Sequence, residues 1–77
     1  NNLAELSVEI GNLTNLTYLN LRWNNLIKLP AEISNLTNLT YLYLNNNPNL
    51  KLTQQQKEWI KSLRDKNCVI VMDNENS

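Results

Sequence analysis

The chain has 77 residues, 42% of them hydrophobic, with a formal net charge of zero. Balanced, scattered charge removes the electrostatic case for nucleic acid or an anionic membrane surface, and no apolar run approaches the ~20 residues that a helical span needs. There is no histidine, one cysteine (Cys68) and one glycine (Gly11). Metal sites need histidine, cysteine or clustered carboxylates, a nucleophilic cysteine needs a base, and a phosphate loop needs several glycines. No metal, no cofactor and no catalytic residue is therefore expected. No signal-peptide pattern opens the chain.

Residues 1–15 carry Asn1, Leu3, Leu6, Ile10 and Leu13, which reappear 23 residues later as Asn24, Leu26, Leu29, Ile33 and Leu36. Residues 16–38 form a complete unit, and a further one begins at 39. Leu16, Leu19, Leu21, Asn24, Leu26 and Leu29 are echoed by Leu39, Leu42, Leu44, Asn47, Leu50 and Leu52 at the same offset of 23. In TYLNL and TYLYL the leucines alternate with polar or aromatic residues, the period-two mark of a strand with one buried face. Tyr18, Asn20, Tyr41 and Tyr43 point away from that face. Asn24 and Asn47 fall where the chain leaves the sheet, and an asparagine there satisfies turn backbone with both its donor and its acceptor. Asn1 would hold the same place in an earlier turn. The Leu26, Leu29, Ile33, Leu36 spacing suits an irregular or helical return path, and Pro30 suits its start, where a missing N–H costs little. One such unit cannot bury its leucine face; stacked units can.

A fixed repeat carrying LxxLxLxxNxLxxL resembles the leucine-rich repeat family. The second half, Leu26, Leu29, Pro30, Ile33, Leu36 and Asn38, is similar to the LxxLPxxIxxLxN portion of the intracellular 23-residue form. The resemblance covers residues 1–52; Ser7 departs from it where proline is expected, and the pattern stops after Leu52. It implies an α/β solenoid, with a short parallel sheet on a concave face and an irregular or helical convex side. It also implies a protein-binding role. Because residues 1–15 are the second half of a unit, the expectation is that further repeats precede Asn1 in a parent chain. Alternatively a second copy covers the open end, giving a homodimer through bared Leu3, Leu13 and the Leu16–Leu21 edge.

Residues 53–72 read as a C-terminal cap. Thr53 with Gln56 makes a capping box, and Trp59, Ile60 and Leu63 form one apolar stripe on a charged helix spanning about residues 53–66. Trp59 is expected to pack that helix onto the last repeat. Lys61 and Asp65 are spaced to pair at i, i+4. Asn67 suits the turn out of the helix. Cys68–Met72 is rich in β-branched residues and reads as a strand added to the sheet by a parallel crossover. Cys68, Ile70 and Met72 would face inward, with Val69 and Val71 on the concave face. Residues 73–77 read as a polar tail that frays.

A lone cysteine without disulfide-bonded caps favours a reducing compartment, hence a cytoplasmic location. Against it stand four Asn-Leu-Thr sequons, at Asn12, Asn15, Asn35 and Asn38, which the repeat itself generates and which would be glycosylated on a secretory route. The candidate binding residues are those that face outward from the sheet and its turns: Tyr18, Asn20, Arg22, Trp23, Tyr41, Tyr43 and Asn45. Adjacent strands lie about 4.8 Å apart, which puts Tyr18 beside Tyr41 and Asn20 beside Tyr43. Tyr, Trp and Arg dominate binding hot spots; the same tyrosines also make ordinary cross-strand ladders. Trp23 either faces a partner or folds over the sheet edge. Asn24 and Asn47 are structural ladder positions. The expected function is protein–protein interaction through the concave sheet. The alternatives are a non-catalytic segment of a larger GTPase- or kinase-type signalling enzyme, and carbohydrate binding by the aromatic face.

Overall fold

The computed structural model describes residues 5–73. Its elements run as a 3-10 helix (Val8–Asn12), strand β1 (Tyr18–Asn20), a second 3-10 helix (Ala31–Asn35), β2 (Tyr41–Tyr43), helix α1 (Gln54–Asp65) and β3 (Val69–Val71). The three strands form one parallel sheet in the order β1-β2-β3. Tyr18, Tyr41 and Val69 lie in one row, and Asn20, Tyr43 and Val71 in another, with Leu19, Leu42 and Ile70 between them. The two 3-10 helices pack on each other, and α1 packs on the second. Between the sheet and this helical layer lies the core: Leu19, Leu21, Leu26, Leu29, Ile33, Leu36, Leu39, Leu42 and Leu44, closed by Trp59, Ile60, Leu63 and Cys68 of the cap. The α/β solenoid expected from the repeats is the fold.

The return path is a 3-10 helix in both units, and two different residues start it. Pro30 enters with its ring-fixed φ of −67°, while Ser7 lets its hydroxyl accept from the N–H of Glu9 at 3.2 Å. Either device supplies the extended entry that a helix start needs, which is why Ser7 can replace proline. Gly11 faces the next helix so closely that a Cβ would stand 2.7 Å from Glu32 Cβ and 2.8 Å from the Glu32 carbonyl oxygen. Close packing of the two units is the reason for the glycine.

Asn47 shows what the ladder asparagine does. Its Nδ2 donates to the carbonyls of Leu44 (2.9 Å) and Leu21 (3.0 Å), and its Oδ1 accepts from Leu26 N–H (3.1 Å). One buried amide thus ties two successive turns together and leaves little of its own capacity unpaired, as a buried polar group must. Asn24 donates likewise to Leu21 O at 3.0 Å. Asn1 and Leu3 lie outside the described residues. On the side where they precede, Leu13 is exposed and Leu16 half-buried.

The cap follows the sequence with three additions. Thr53 and Gln56 form the capping box, and Trp59 is buried. Gln56, however, is only 1% exposed. Its Nε2 donates to Leu29 O (2.9 Å) and Pro30 O (3.2 Å), while its Oε1 accepts from Thr53 N–H (3.1 Å). Trp59 Nε1 donates to Leu36 O at 3.1 Å. The helix therefore supplies side-chain donors to three carbonyls of the full repeat. Cys68 is buried and Ile70 and Met72 half-buried, with Val69 and Val71 outward, as the alternation requires. Burial pushes the Cys68 thiol up.

Two expectations need correction. Asp73 is not part of a fraying tail: its two carboxylate oxygens accept from the N–H groups of Asn46 and Asn47, each at 2.8 Å. Trp23 N–H, the counterpart of Asn46 N–H one unit earlier, bonds the Asn45 carbonyl at 3.2 Å. The Asp73 carboxylate thus stands where a following turn would supply acceptors, and residues 74–77 lie outside the described residues. Lys61 and Asp65 form no ion pair; among the described residues the surface pair is Lys28 with Glu5, at 4.0 Å between neighbouring units. Lys preceding Asp is the weaker orientation on a helix, and exposed pairs gain little in water.

A candidate binding face on the outer side of the sheet

The strands are short, so each presents two outward side chains, and the parallel register brings them together. Tyr18 and Tyr41 have ring centroids 5.9 Å apart at 49°. Tyr18 and Tyr43 meet edge to face at 5.7 Å and 78°, and Tyr41 and Tyr43 lie 6.5 Å apart. These are favourable aromatic separations, with tilted and edge-to-face arrangements preferred over a flat sandwich. The Arg22 guanidinium sits 5.5 Å from the Tyr43 ring centre, within cation–π range. Every ring of the trio supports another, so the cluster is held in place before any partner arrives. It is also accessible: Tyr18 is 51% and Tyr41 44% exposed.

Val69 and Val71 continue the two rows across β3 and are exposed. They give the aromatic cluster an apolar flank that the sequence assigned to this face but did not count among the contact residues. Among the described residues, most large exposed hydrophobic side chains stand on this face or its rim: Tyr18, Tyr41, Val69, Val71 and Trp23, against Val8, Leu13 and Ile27 elsewhere. Convergence of exposed apolar groups marks interaction surfaces, whereas scattered ones need no explanation.

The remaining sequence candidates occupy the turn side of the sheet. Asn20 is exposed, and its Oδ1 accepts from Arg22 N–H at 3.2 Å, so its Nδ2 is what it offers outward. Trp23 stands outside the tyrosine ring contacts, with 69% of its surface in solvent and a φ of 64°. Asn45 is half-buried; its carbonyl accepts from Trp23 N–H and its Oδ1 is covered by protein without a hydrogen-bond partner. It offers a partner the least of the seven. An open hollow of about 360 Å³ lies away from the cluster, lined by residues Asn12 to Leu16.

The face combines aromatic and aliphatic area, phenol hydroxyls, an amide donor and one guanidinium. Among the described residues no group of histidine, cysteine or carboxylate side chains is placed to hold a metal ion, and no helix is long and apolar enough to cross a membrane. The family model described as leucine-rich repeats in two copies matches residues 14–56. No curated protein matches the chain.

Proposed function

The chain belongs to the leucine-rich repeat family, and from that premise we propose that it binds a partner protein on the outer, concave face of its sheet. Repeats of this family generally mediate protein–protein interaction and are typically non-catalytic. The observation that carries the placement is the convergence of Tyr18, Tyr41, Tyr43, Val69 and Val71 through the strand register. Such a surface gains apolar burial at about 25 cal/mol per Å². Its rings are already ordered by mutual contact, so little side-chain freedom is lost on binding. Arg22 and the Asn20 amide add directional contacts at the turn side.

The test is affinity capture from the source cell's lysate with the wild-type chain and the Tyr41→Ala, Tyr43→Ala double variant, both shown to be folded. Proteins retained by the wild type and lost by the variant support the concave site. Identical lists from the two baits would place the partner surface elsewhere. Retention of glycans and not proteins on an array, with the same sensitivity to the double variant, would replace protein binding by carbohydrate binding.

A further inference from the structure

The turns after β1 and β2 each place one residue in the left-handed region. Trp23 has φ 64° and Asn46, its counterpart one repeat later, also has φ 64°; Asn67, which leads from α1 into β3, has φ 70°. Asparagine tolerates that region because its short polar side chain bonds locally, whereas a bulky L residue there is an outlier. The asparagines follow the demand of the backbone and Trp23 goes against it. Trp23 is the most exposed of the large hydrophobic residues described, its ring meets none of the tyrosines, and its Nε1 has no acceptor among the described residues. A strained residue that leaves most of its side chain in solvent points to function.

Beside it, Arg22 leans on Tyr43 with no carboxylate in ion-pair distance among the described residues. The three strands, with residues 21–25, 44–49 and 72–73 that follow them, hold two charged side chains, Arg22 and Asp73. Both oxygens of Asp73 are engaged by backbone N–H groups. Among the described residues the face therefore has an unneutralised guanidinium and no carboxylate left to receive a cation. The turn carrying both residues is fixed by Asn20 Oδ1 at Arg22 N–H and by Trp23 N–H at the Asn45 carbonyl, so neither contact needs ordering first.

We propose that Trp23 and Arg22 are the anchor of this surface, and that the segment they take is an extended peptide stretch of the partner with an Asp or Glu beside an apolar residue. The carboxylate pairs with the Arg22 guanidinium, whose planar fork suits bidentate contact. The apolar side chain covers the Trp23 indole, and Nε1–H donates to a backbone carbonyl of the segment. The peptide then runs from the turn onto Tyr43, Tyr18 and Tyr41. This assignment rests on the concave face being the partner surface.

A phage-displayed library of random linear peptides, panned on the full chain, tests both statements separately. Selected peptides are expected to share an acidic residue next to an apolar one. Synthetic versions should lose about thirtyfold in affinity against Trp23→Asn, which keeps the turn geometry, corresponding to a hot-spot side chain. Against Arg22→Gln they should lose roughly tenfold. Changing the peptide's acid to its amide should cost the same factor on the wild type and little more on Arg22→Gln, as a double-mutant cycle requires of a direct pair. Peptides that bind Trp23→Asn and Arg22→Gln as tightly as wild type, yet are lost by Tyr41→Ala, Tyr43→Ala, overturn the anchor and leave the concave surface standing. Peptides insensitive to all the variants overturn both. Failure to enrich any peptide, or selective retention of acidic glycans on an array, overturns the peptide assignment.

Discussion

Replacing Trp23 by asparagine should leave the fold as stable as before or make it more stable, although it removes the largest side chain on the surface. Two terms oppose each other. Trp23 is 69% exposed, so 100 − 69 = 31% of it is covered. On a full tryptophan area of roughly 250 Å² that is about 80 Å², and at about 25 cal/mol per Å² it is worth at most ~2 kcal/mol. Asparagine at the same place keeps part of that cover, which leaves a loss of about 1 kcal/mol. The left-handed backbone costs an L residue about 1–2 kcal/mol, and asparagine largely escapes it. The net change lies between zero and about 1 kcal/mol in favour of asparagine, which in a chain of this size raises Tm by up to roughly 4–8 °C. Trp23→Ala supplies the control, because it loses the packing and keeps the strain; from the strain alone it should be less stable than Trp23→Asn by about 1–2 kcal/mol. Urea unfolding of the three proteins, with unchanged slopes, measures both differences. If Trp23→Asn loses more than about 2 kcal/mol, or falls below Trp23→Ala, the tryptophan holds the fold together and the case for it as a strained anchor collapses.

Gln56→Leu should destabilise by about 2–3 kcal/mol despite being apolar and of similar size. It leaves the Leu29 and Pro30 carbonyls without their donor and removes the acceptor of Thr53 N–H, and each buried unpaired group costs about 1–3 kcal/mol; a stability equal to wild type in urea would show that water reaches these carbonyls. The Cys68 thiol, raised by burial, should react with a thiol reagent far more slowly in the folded chain than in urea. Its sign in stability follows from linkage: the folded thiol holds its proton to higher pH than the unfolded one. Its contribution is therefore fully present below the ordinary thiol range near pH ~8.5 and is lost as pH rises through the folded value. Wild type should thus lose stability relative to Cys68→Ala on the alkaline side, and parallel pH profiles would contradict it.

The repeat made the architecture readable because burial in a solenoid is local and periodic. Leu19, Leu21, Leu42 and Leu44 alternate, Asn24 and Asn47 recur, and each position does in its unit what its counterpart does in the next. The tyrosine cluster was legible for the same reason, since a parallel register without offset sets Tyr18 against Tyr41 and Asn20 against Tyr43. The capping box and the apolar stripe of α1 announced a helix and the face it buries. Gln56 shows where that reading stopped. The sequence read it only as half of the capping box, and neither its burial nor its distant partners could be named.

Those partners lie 26 and 27 residues away, as do the Asn46 and Asn47 amides that Asp73 accepts from. No local rule contains such distances; they exist only once the cap has docked and the sheet has placed its last strand. The left-handed turn at Trp23 belongs to the same class. Pattern alone supplied a tryptophan after a strand, and only the folded turn showed that it sits in a conformation suited to asparagine. By itself the sequence determined the repeats, the core, the ladder and the cap helix, because apolar periodicity is written residue by residue. The tertiary structure decided which polar groups close the end of the stack and which exposed side chain is held under strain, because hydrogen-bond geometry and backbone angle depend on contacts between segments distant in the chain.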